Sequence, residues 1–171
     1  EMDIFWLEAV VRELNEKVTN ARINKIYQPI ADTLIFKLWT GRESLRLLIS
    51  LGGRRSSQQK TEQEYPNPFT PMRFCQLLRS RLSALVSIKQ KPGERIVELE
   101  FRGQDGDYLL IAEMTGRHSN LILIDNDGQI VDALRRVDGG PDARSIQPGQ
   151  KYCYPQLKDR LDLRHGIPEV P

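Results

Sequence analysis

Two turn signals, Gln104-Asp105-Gly106-Asp107 and Asn126-Asp127-Gly128, leave room around and between them for nothing longer than short strands. Asp-Gly steps supply the positive φ that a hairpin turn needs, and strands joined by such turns pair antiparallel. The intervening runs agree: Val86 to Gln90, Ile96 to Arg102, Tyr108 to Ala112, Leu121 to Ile124 and Gln129 to Leu134 are rich in aliphatic and β-branched residues. This half of the chain is therefore expected to be an antiparallel meander.

The first half repeats the pattern. Arg22 to Gln28, Thr33 to Thr40 and Ser44 to Leu51 are divided by Pro29-Ile30-Ala31-Asp32 and by Gly41-Arg42-Glu43. Ahead of them Leu7, Val10, Val11, Leu14 and Val18 recur at helical spacing behind Asp3, a suitable N-cap. A second helical stripe, Phe74, Leu77, Leu78 and Leu82, follows Asn67-Pro68-Phe69-Thr70-Pro71. Here Thr70 is expected as N-cap, Pro71 at the first helical position, and the helix end near Ser83. The fold class that results is α+β, an antiparallel sheet or sandwich of about eight strands with two helices.

Gly52 to Pro66 is dense in Gly, Ser, Gln and charge, and is expected to be a mobile loop. From Asp138 onward Gly139-Gly140-Pro141, Pro148-Gly149, Pro155, Pro168 and Pro171 predict an irregular tail. The expected organisation is a core over 2–137, with 138–171 leading to a further domain; Glu1, ahead of Met2, is left out of the fold reasoning.

A net charge of +2 is too small for bulk electrostatics to imply a polyanionic partner, so any nucleic-acid site must be a local patch. Cys75 and Cys153 are isolated, which supports neither a disulfide framework nor a zinc site; no metal or cofactor is expected. No apolar run reaches the length of a membrane span, and the amino terminus carries an amphipathic helix pattern in place of a leader, so a cytoplasmic location is expected.

The polar segment from Glu113 to Asn120 lies between two apolar strands, the arrangement of a rigidly presented binding surface. Gly116 is expected to need a positive φ or a close backbone approach. Ser119 and Asn120 are expected to bond local backbone, with His118 packed or bonded beneath the loop and Arg117 reaching outward. Catalysis is not expected, because a lone His needs an orienting acid and a nucleophile, and neighbours on a strand point to opposite faces. Glu94-Arg95, after Lys91-Pro92-Gly93, is placed at a sheet rim; it reads either as a solvated ion pair or as an outward contact. Arg54-Arg55, Arg79 with Arg81, and Arg135-Arg136 are further basic clusters whose convergence the sequence leaves open.

Met114 to Asn120, followed by an aliphatic strand and Asp125, resembles the Met-Gly-Arg-His-Ser-Asn motif of the NFACT amino-terminal domain, with Thr115 standing between Met and Gly. The likeness continues in Arg22-Ile23-Asn24-Lys25-Ile26-Tyr27-Gln28-Pro29, in Leu38-Trp39-Thr40-Gly41-Arg42, in Asn67 to Pro71, and in Phe74-Cys75 and Leu77-Leu78-Arg79. That family includes the bacterial RqcH proteins, also labelled fibronectin-binding protein A, and eukaryotic ribosome quality-control relatives. The resemblance implies a module of a factor that binds large ribosomal subunits obstructed by peptidyl transfer RNA and recruits alanyl transfer RNA for alanine tailing. It also implies that Glu94 and Arg95, where the family has Asp-Arg, contact transfer RNA, and that Glu113, Met114, Thr115, Gly116 and Arg117 form a functional surface. Two other readings stand beside it. One is a fibronectin-binding adhesin; the other is a nucleic-acid enzyme, since the element pattern resembles the amino-terminal domain of formamidopyrimidine DNA glycosylases. Met2-Asp3-Ile4-Phe5 lacks the amino-terminal Pro-Glu of those enzymes, which leaves only a shared scaffold.

Overall fold

A computed structural model of the chain describes residues 4–51, 72–140 and 144–155. Helix α1 (Ile4–Val18) turns Leu7, Val11 and Val18 into the core and ends in a two-residue turn. Asn20 takes a φ of 58° there, a left-handed conformation that Asn tolerates better than most residues. Strands β1 (Ala21–Ile30), β2 (Thr33–Trp39) and β3 (Ser44–Ser50) form the first meander. Helix α2 (Arg73–Arg81) precedes β4 (Leu82–Gln90), β5 (Ile96–Gly103), β6 (Asp107–Glu113), β7 (Asn120–Ile124) and β8 (Ile130–Ala133). The strands make one antiparallel sheet in the order β3-β2-β1-β4-β5-β6-β7-β8.

The two meanders meet at a narrow seam. Only Ala21 with Leu85 and Arg22 with Ala84 pair across β1 and β4. Beyond it, α1 and the turn that follows it satisfy β4: Asn20 N–H donates to Val86 O at 3.3 Å, and Ile88 N–H donates to Asn15 Oδ1 at 2.8 Å. Backbone groups that the seam would orphan thus find partners. Three strand spacings separate β2 from β5, about 14 Å in a flat sheet. Yet Phe36 and Phe101 stack with centroids 5.5 Å apart, so the sheet folds over and the meanders face each other across one core. Both helices border that core, and α2 is tied to β1 by Cys75 Sγ–H (3.5 Å) and Arg79 Nε–H (2.7 Å), which donate to Ile26 O.

The second helix begins later than its sequence suggests, at Arg73 with Met72 in the N-cap position; Thr70 and Pro71 lie outside the described residues. It also ends earlier, at Arg81, and β4 starts at once. Bulges between Leu82 and Ala84 and between Leu85 and Ser87 rephase β4, so Leu82, Leu85 and Ile88 are all buried at a spacing of three. That spacing imitates a helix in sequence, although the backbone is extended.

The stretch after Asp138 is irregular in backbone but not detached from the sheet. Val137 and Ile146 bridge, as do Gln129 and Lys151. Ile146 enters a second core with Ile96, Ile111, Ile122, Ile124 and Ile130 on the far face of β5–β8. Residues beyond the expected boundary at 137 thus contact the sheet, through Ile146 and Lys151. The loop expected at Gly52 to Pro66 and the remainder of the tail, 156–171, lie outside the described residues.

Candidate nucleic-acid interface

The starts of β5 and β7 and the ends of β6 and β8 share one rim of the sheet. Lys91 N–H donates to Ile96 O at 2.8 Å and closes the β4–β5 connection, with Gly93 at a φ of 74°. Met114 N–H donates to Arg95 O at 2.9 Å. The two groups of residues singled out in the sequence, Glu94-Arg95 and Glu113 to Gly116, are thus direct neighbours. Met114 is half-buried against the core, while Thr115, Gly116 and His118 are exposed.

Arg95 is half-buried. Its Nε is closed off from solvent and has no hydrogen-bond partner among the described residues, an uncommon condition for a buried donor. Glu94 does not project from the rim as expected. Its side chain is 15% exposed and lies 4.0 Å from Lys91 Nζ, while Gln90 Nε2 donates to its carbonyl at 2.7 Å. Beside them Tyr154 is 40% exposed, with Lys91 Nζ 4.3 Å from its ring centroid and its hydroxyl donating to Glu98. Burial, aided by the Glu98 carboxylate, pushes the Tyr154 phenol up to about 12.

Glu113, expected on the functional surface, lies beneath it with 1% exposure. Arg144 forks its carboxylate at 2.9 and 2.7 Å, and Tyr152 Oη–H donates to it at 2.5 Å. Arg144 also donates to Cys153 O at 2.8 Å. A buried carboxylate with both oxygens satisfied is a structural clamp, and it pins residues 144–153 under the Met114 loop. Burial and the adjacent Glu113 raise the Tyr152 phenol well above its ordinary value.

The next segment is held by backbone mimicry. Gly116 takes a φ of 74°, and a Cβ there would meet nothing within 4 Å; of the two expected reasons for a glycine, the positive φ holds and the close approach does not. A short 3-10 turn, Gly116–His118, follows, capped by Ser119, whose Oγ–H donates to Gly116 O at 2.7 Å. Asn120 imitates a strand partner: Arg135 N–H donates to its Oδ1 and its Nδ2 donates to Arg135 O, both at 2.9 Å. Ser119 thus bonds local backbone as expected, Asn120 bonds chiefly the distant backbone of Arg135, and His118 stands exposed instead of packing beneath the loop. The Arg117 side chain lies outside the described residues.

Asp132, 5% exposed, accepts from Arg73, from Arg136 Nε (3.0 Å) and Nη2 (3.2 Å), and from Ala133 N–H (2.7 Å). Burial pushes its carboxyl up, but the bonds from Arg136, Ala133 and Arg73 together outweigh that and hold it below the usual carboxylate range. Arg135 directs Nη1–H to Ser119 O at 3.1 Å. The basic clusters do not all converge here. Arg81 is bonded to Tyr108 Oη at 3.2 Å, at the opposite end of β5, and Arg79 is spent on Ile26 O. Arg54-Arg55 lie outside the described residues. Among those described, no group of three His, Cys, Asp or Glu side chains could hold a metal ion, and no helix is long and apolar enough to cross a membrane.

What the rim offers is a half-buried arginine whose Nε lacks a partner among the described residues, a lysine laid over an exposed tyrosine, and exposed loop backbone. These are the parts of a phosphate and base contact surface. Arg144, Tyr152 and Tyr154 were missed in the sequence because they fall in a Gly/Pro-rich stretch without periodicity; the cluster Lys151-Tyr152-Cys153-Tyr154 was the available signal.

The sequence profile of the NFACT N-terminal and middle domains matches residues 3–167. The chain is 34% identical over 169 residues to the Rqc2 homolog RqcH of Streptococcus pneumoniae, covering 94% of this chain and 31% of that protein. It is 33% identical over 141 residues to the human ribosome quality control complex subunit NEMF, covering 81% of this chain and 13% of NEMF. The chain thus spans a third or less of the length of these relatives. Among solved structures, the N-terminal part of the fibronectin/fibrinogen-binding protein from Streptococcus suis superposes with a TM-score of 0.79 at 27% identity, covering 99% of this chain and 71% of that one.

Proposed function

The chain belongs to the family of NFACT N-terminal and middle domains, and from that premise we propose that it is the transfer-RNA-holding module of a ribosome-associated quality-control factor. The complete protein binds large ribosomal subunits that carry a stalled peptidyl transfer RNA, in the cytoplasm, and recruits alanyl transfer RNA for C-terminal alanine tailing. This module performs no chemistry of its own and needs neither metal nor cofactor. Its part is to grip RNA at the rim, with Arg95 as the principal contact and Met114, Thr115 and Gly116 as the adjoining surface. Glu94 tunes the reach of the arginine, and Glu113 holds the loop from below.

The observation that supports this reading most directly is the Nε of Arg95, closed off from solvent without an acceptor. An unpaired buried donor costs about 1–3 kcal/mol. Once the side chain turns outward, a phosphate or base edge that accepts from it removes that penalty, so binding relieves a cost that the fold carries. Arg95→Ala in the full-length protein should therefore hold or raise the unfolding midpoint and weaken transfer RNA binding at least about tenfold, or roughly 1.4 kcal/mol. Early melting with normal RNA binding by the folded fraction would overturn the assignment. Sequencing of RNA recovered with the full-length protein should return alanine transfer RNA in excess.

The name of the Streptococcus suis neighbour favours one alternative, binding of fibronectin. The same variant separates the two. An adhesin should retain fibronectin on a sensor surface whether or not Arg95 is present and should recover no specific RNA from cells.

A further inference from the structure

The outer face of the first meander carries a charge pattern that the rim does not use. Strand pairing sets three cross-strand rows on that face: Arg22, Trp39 and Ser44; then Lys25, Lys37 and Arg46; then Tyr27, Ile35 and Leu48. Directly paired residues on adjacent strands share a face, and a bulge at Asn24 between Ile23 and Lys25 keeps Ile23 and Ile26 inward while Lys25 stays outward. The middle row is three cations side by side. Like charges directly opposite one another are unfavourable unless an acid or a ligand offsets them. None of the three strands contains an acid, although they contain Arg22, Lys25, Lys37 and Arg46.

What holds the row together is a neutral phenol. Lys25 Nζ and Lys37 Nζ lie 5.3 and 5.9 Å from the Tyr27 ring centroid, and Arg46 Nη2–H donates to Tyr27 Oη at 2.9 Å. The cations are gathered on one aromatic side chain, and none of them forms an ion pair among the described residues. One row away, Trp39 is 37% exposed, and Leu48 beyond the cations is 47% exposed. Successive rows on one face are about 7 Å apart and adjacent strands about 4.8 Å. A base stacked on Trp39 would thus bring its own phosphate over the cation row.

We propose that this face is a second nucleic-acid surface, which takes a single-stranded segment with phosphates along Lys25, Lys37 and Arg46 and a base on Trp39. Single-stranded nucleic acid fits better than duplex because only an unpaired base presents a free face to the indole. It fits better than an acidic peptide because the exposed aromatic would be idle there. The surface shares no residue with the rim and stands independently of the rim's assignment.

The test uses the whole chain and a fluorescein-labelled oligouridine of about ten nucleotides, within the usual site size for such surfaces. Binding should weaken linearly with log salt. The triple variant Lys25→Gln, Lys37→Gln, Arg46→Gln, folded by circular dichroism, should lower the slope by about two, at about 0.7 per phosphate released. Oligouridine should quench tryptophan emission in the parent and not in Trp39→Phe, whose emission comes from Trp6. Affinity in Trp39→Ala should fall by about fivefold or more. Arg95→Ala should leave the quench intact, so that failure at the rim and failure here are told apart. The proposal is overturned if the folded triple variant keeps the parent's slope, if the quench survives Trp39→Phe or is lost in Arg95→Ala, or if polyglutamate displaces oligouridine at equal charge. Should the triple variant not fold, Lys37→Gln alone decides, with a loss of about 0.7 in slope expected and an unchanged slope fatal.

Discussion

Gly103 and Gly116 are both glycines for reasons that a substitution can separate. At Gly103 a Cβ would sit 2.5 Å from Arg81 O, 2.8 Å from Gly106 O and 2.8 Å from Tyr108 Cε2, so backbone would have to move. Gly116 has open space around it and only its φ of 74° to protect. Gly103→Ala should therefore cost about 3 kcal/mol or more, and Gly116→Ala only about 1–2 kcal/mol of backbone strain. Equal shifts in denaturant midpoint would refute that distinction. Asp132 supplies a residue-scale pH dependence. Its carboxyl is held below the usual range in the folded chain and titrates near 3.9 when unfolded, so the unfolded state binds the proton first as pH falls. The stability it contributes is complete above about pH 5 and is lost as pH drops through the folded value. Arg73 and Arg136 stay about half hydrated, at 48% and 45% side-chain exposure, which limits the loss in Asp132→Asn to about 1–3 kcal/mol at neutral pH. Melting curves should show parent and variant converging as pH falls through the folded value of Asp132; a constant gap would mean that packing and not charge carries the effect.

The elements were legible in sequence where local chemistry decides them. Hairpin turns at Gly106 and Gly128 and the alternation of β5 set the second meander, because Val97, Leu99 and Phe101 face one core while Glu98 and Glu100 face away. The β4 bulges defeat the same logic: a strand with Leu82, Leu85 and Ile88 inward has the spacing of a helix, and only its neighbours reveal which it is. The candidate site was legible in half. Arg95 and Met114 stand out by turn and motif, but Glu113 reads as a rim acid until its partners arrive from 31 and 39 residues away. Those partners turn the segment 144–155 into part of the fold. Glu113→Gln leaves the largely buried Arg144 short of a counter-charge and should destabilise by about 3 kcal/mol, near the low end for a broken buried pair. Tyr152→Phe should cost about 1.5–3 kcal/mol, and the double variant less than the sum because both act on one carboxylate. In either variant the Ile146 amide, which donates to Val137 O at 2.7 Å, should exchange with solvent faster than the amides of β6. Equal protection would mean that the isoleucine core alone holds the segment.

At the scale of the whole molecule, a two-pair seam joins meanders that carry different surfaces, and it is the shared core that makes them one body. Such a seam has too few ladder bonds to transmit stability by itself. Leu34, Phe36 and Leu38 from β2 instead pack into the same cluster as Leu99, Phe101, Leu110 and Leu121 from β5–β7. No sequence pattern predicts that contact, since alternation tells which residues face inward but not which sheet half they meet. Phe36 is fully buried and stacked on Phe101, so Phe36→Ala should cost about 3–5 kcal/mol, a large share of the roughly 5–15 kcal/mol typical of a domain. If the meanders were independent, that loss would be confined to β1–β3, and hydrogen exchange would quicken there alone. With a common core, the cavity opens on β5 as well, and the amides of β5–β7 should lose protection together with those of β1–β3, in one cooperative transition. Native-state exchange on Phe36→Ala measures this directly, and protection retained in β5–β7 would make the fold two units joined at β1 and β4. One cooperative body would hold the cation row of the first meander and the Arg95 rim of the second at a fixed separation, so that both could engage one RNA without a hinge between them.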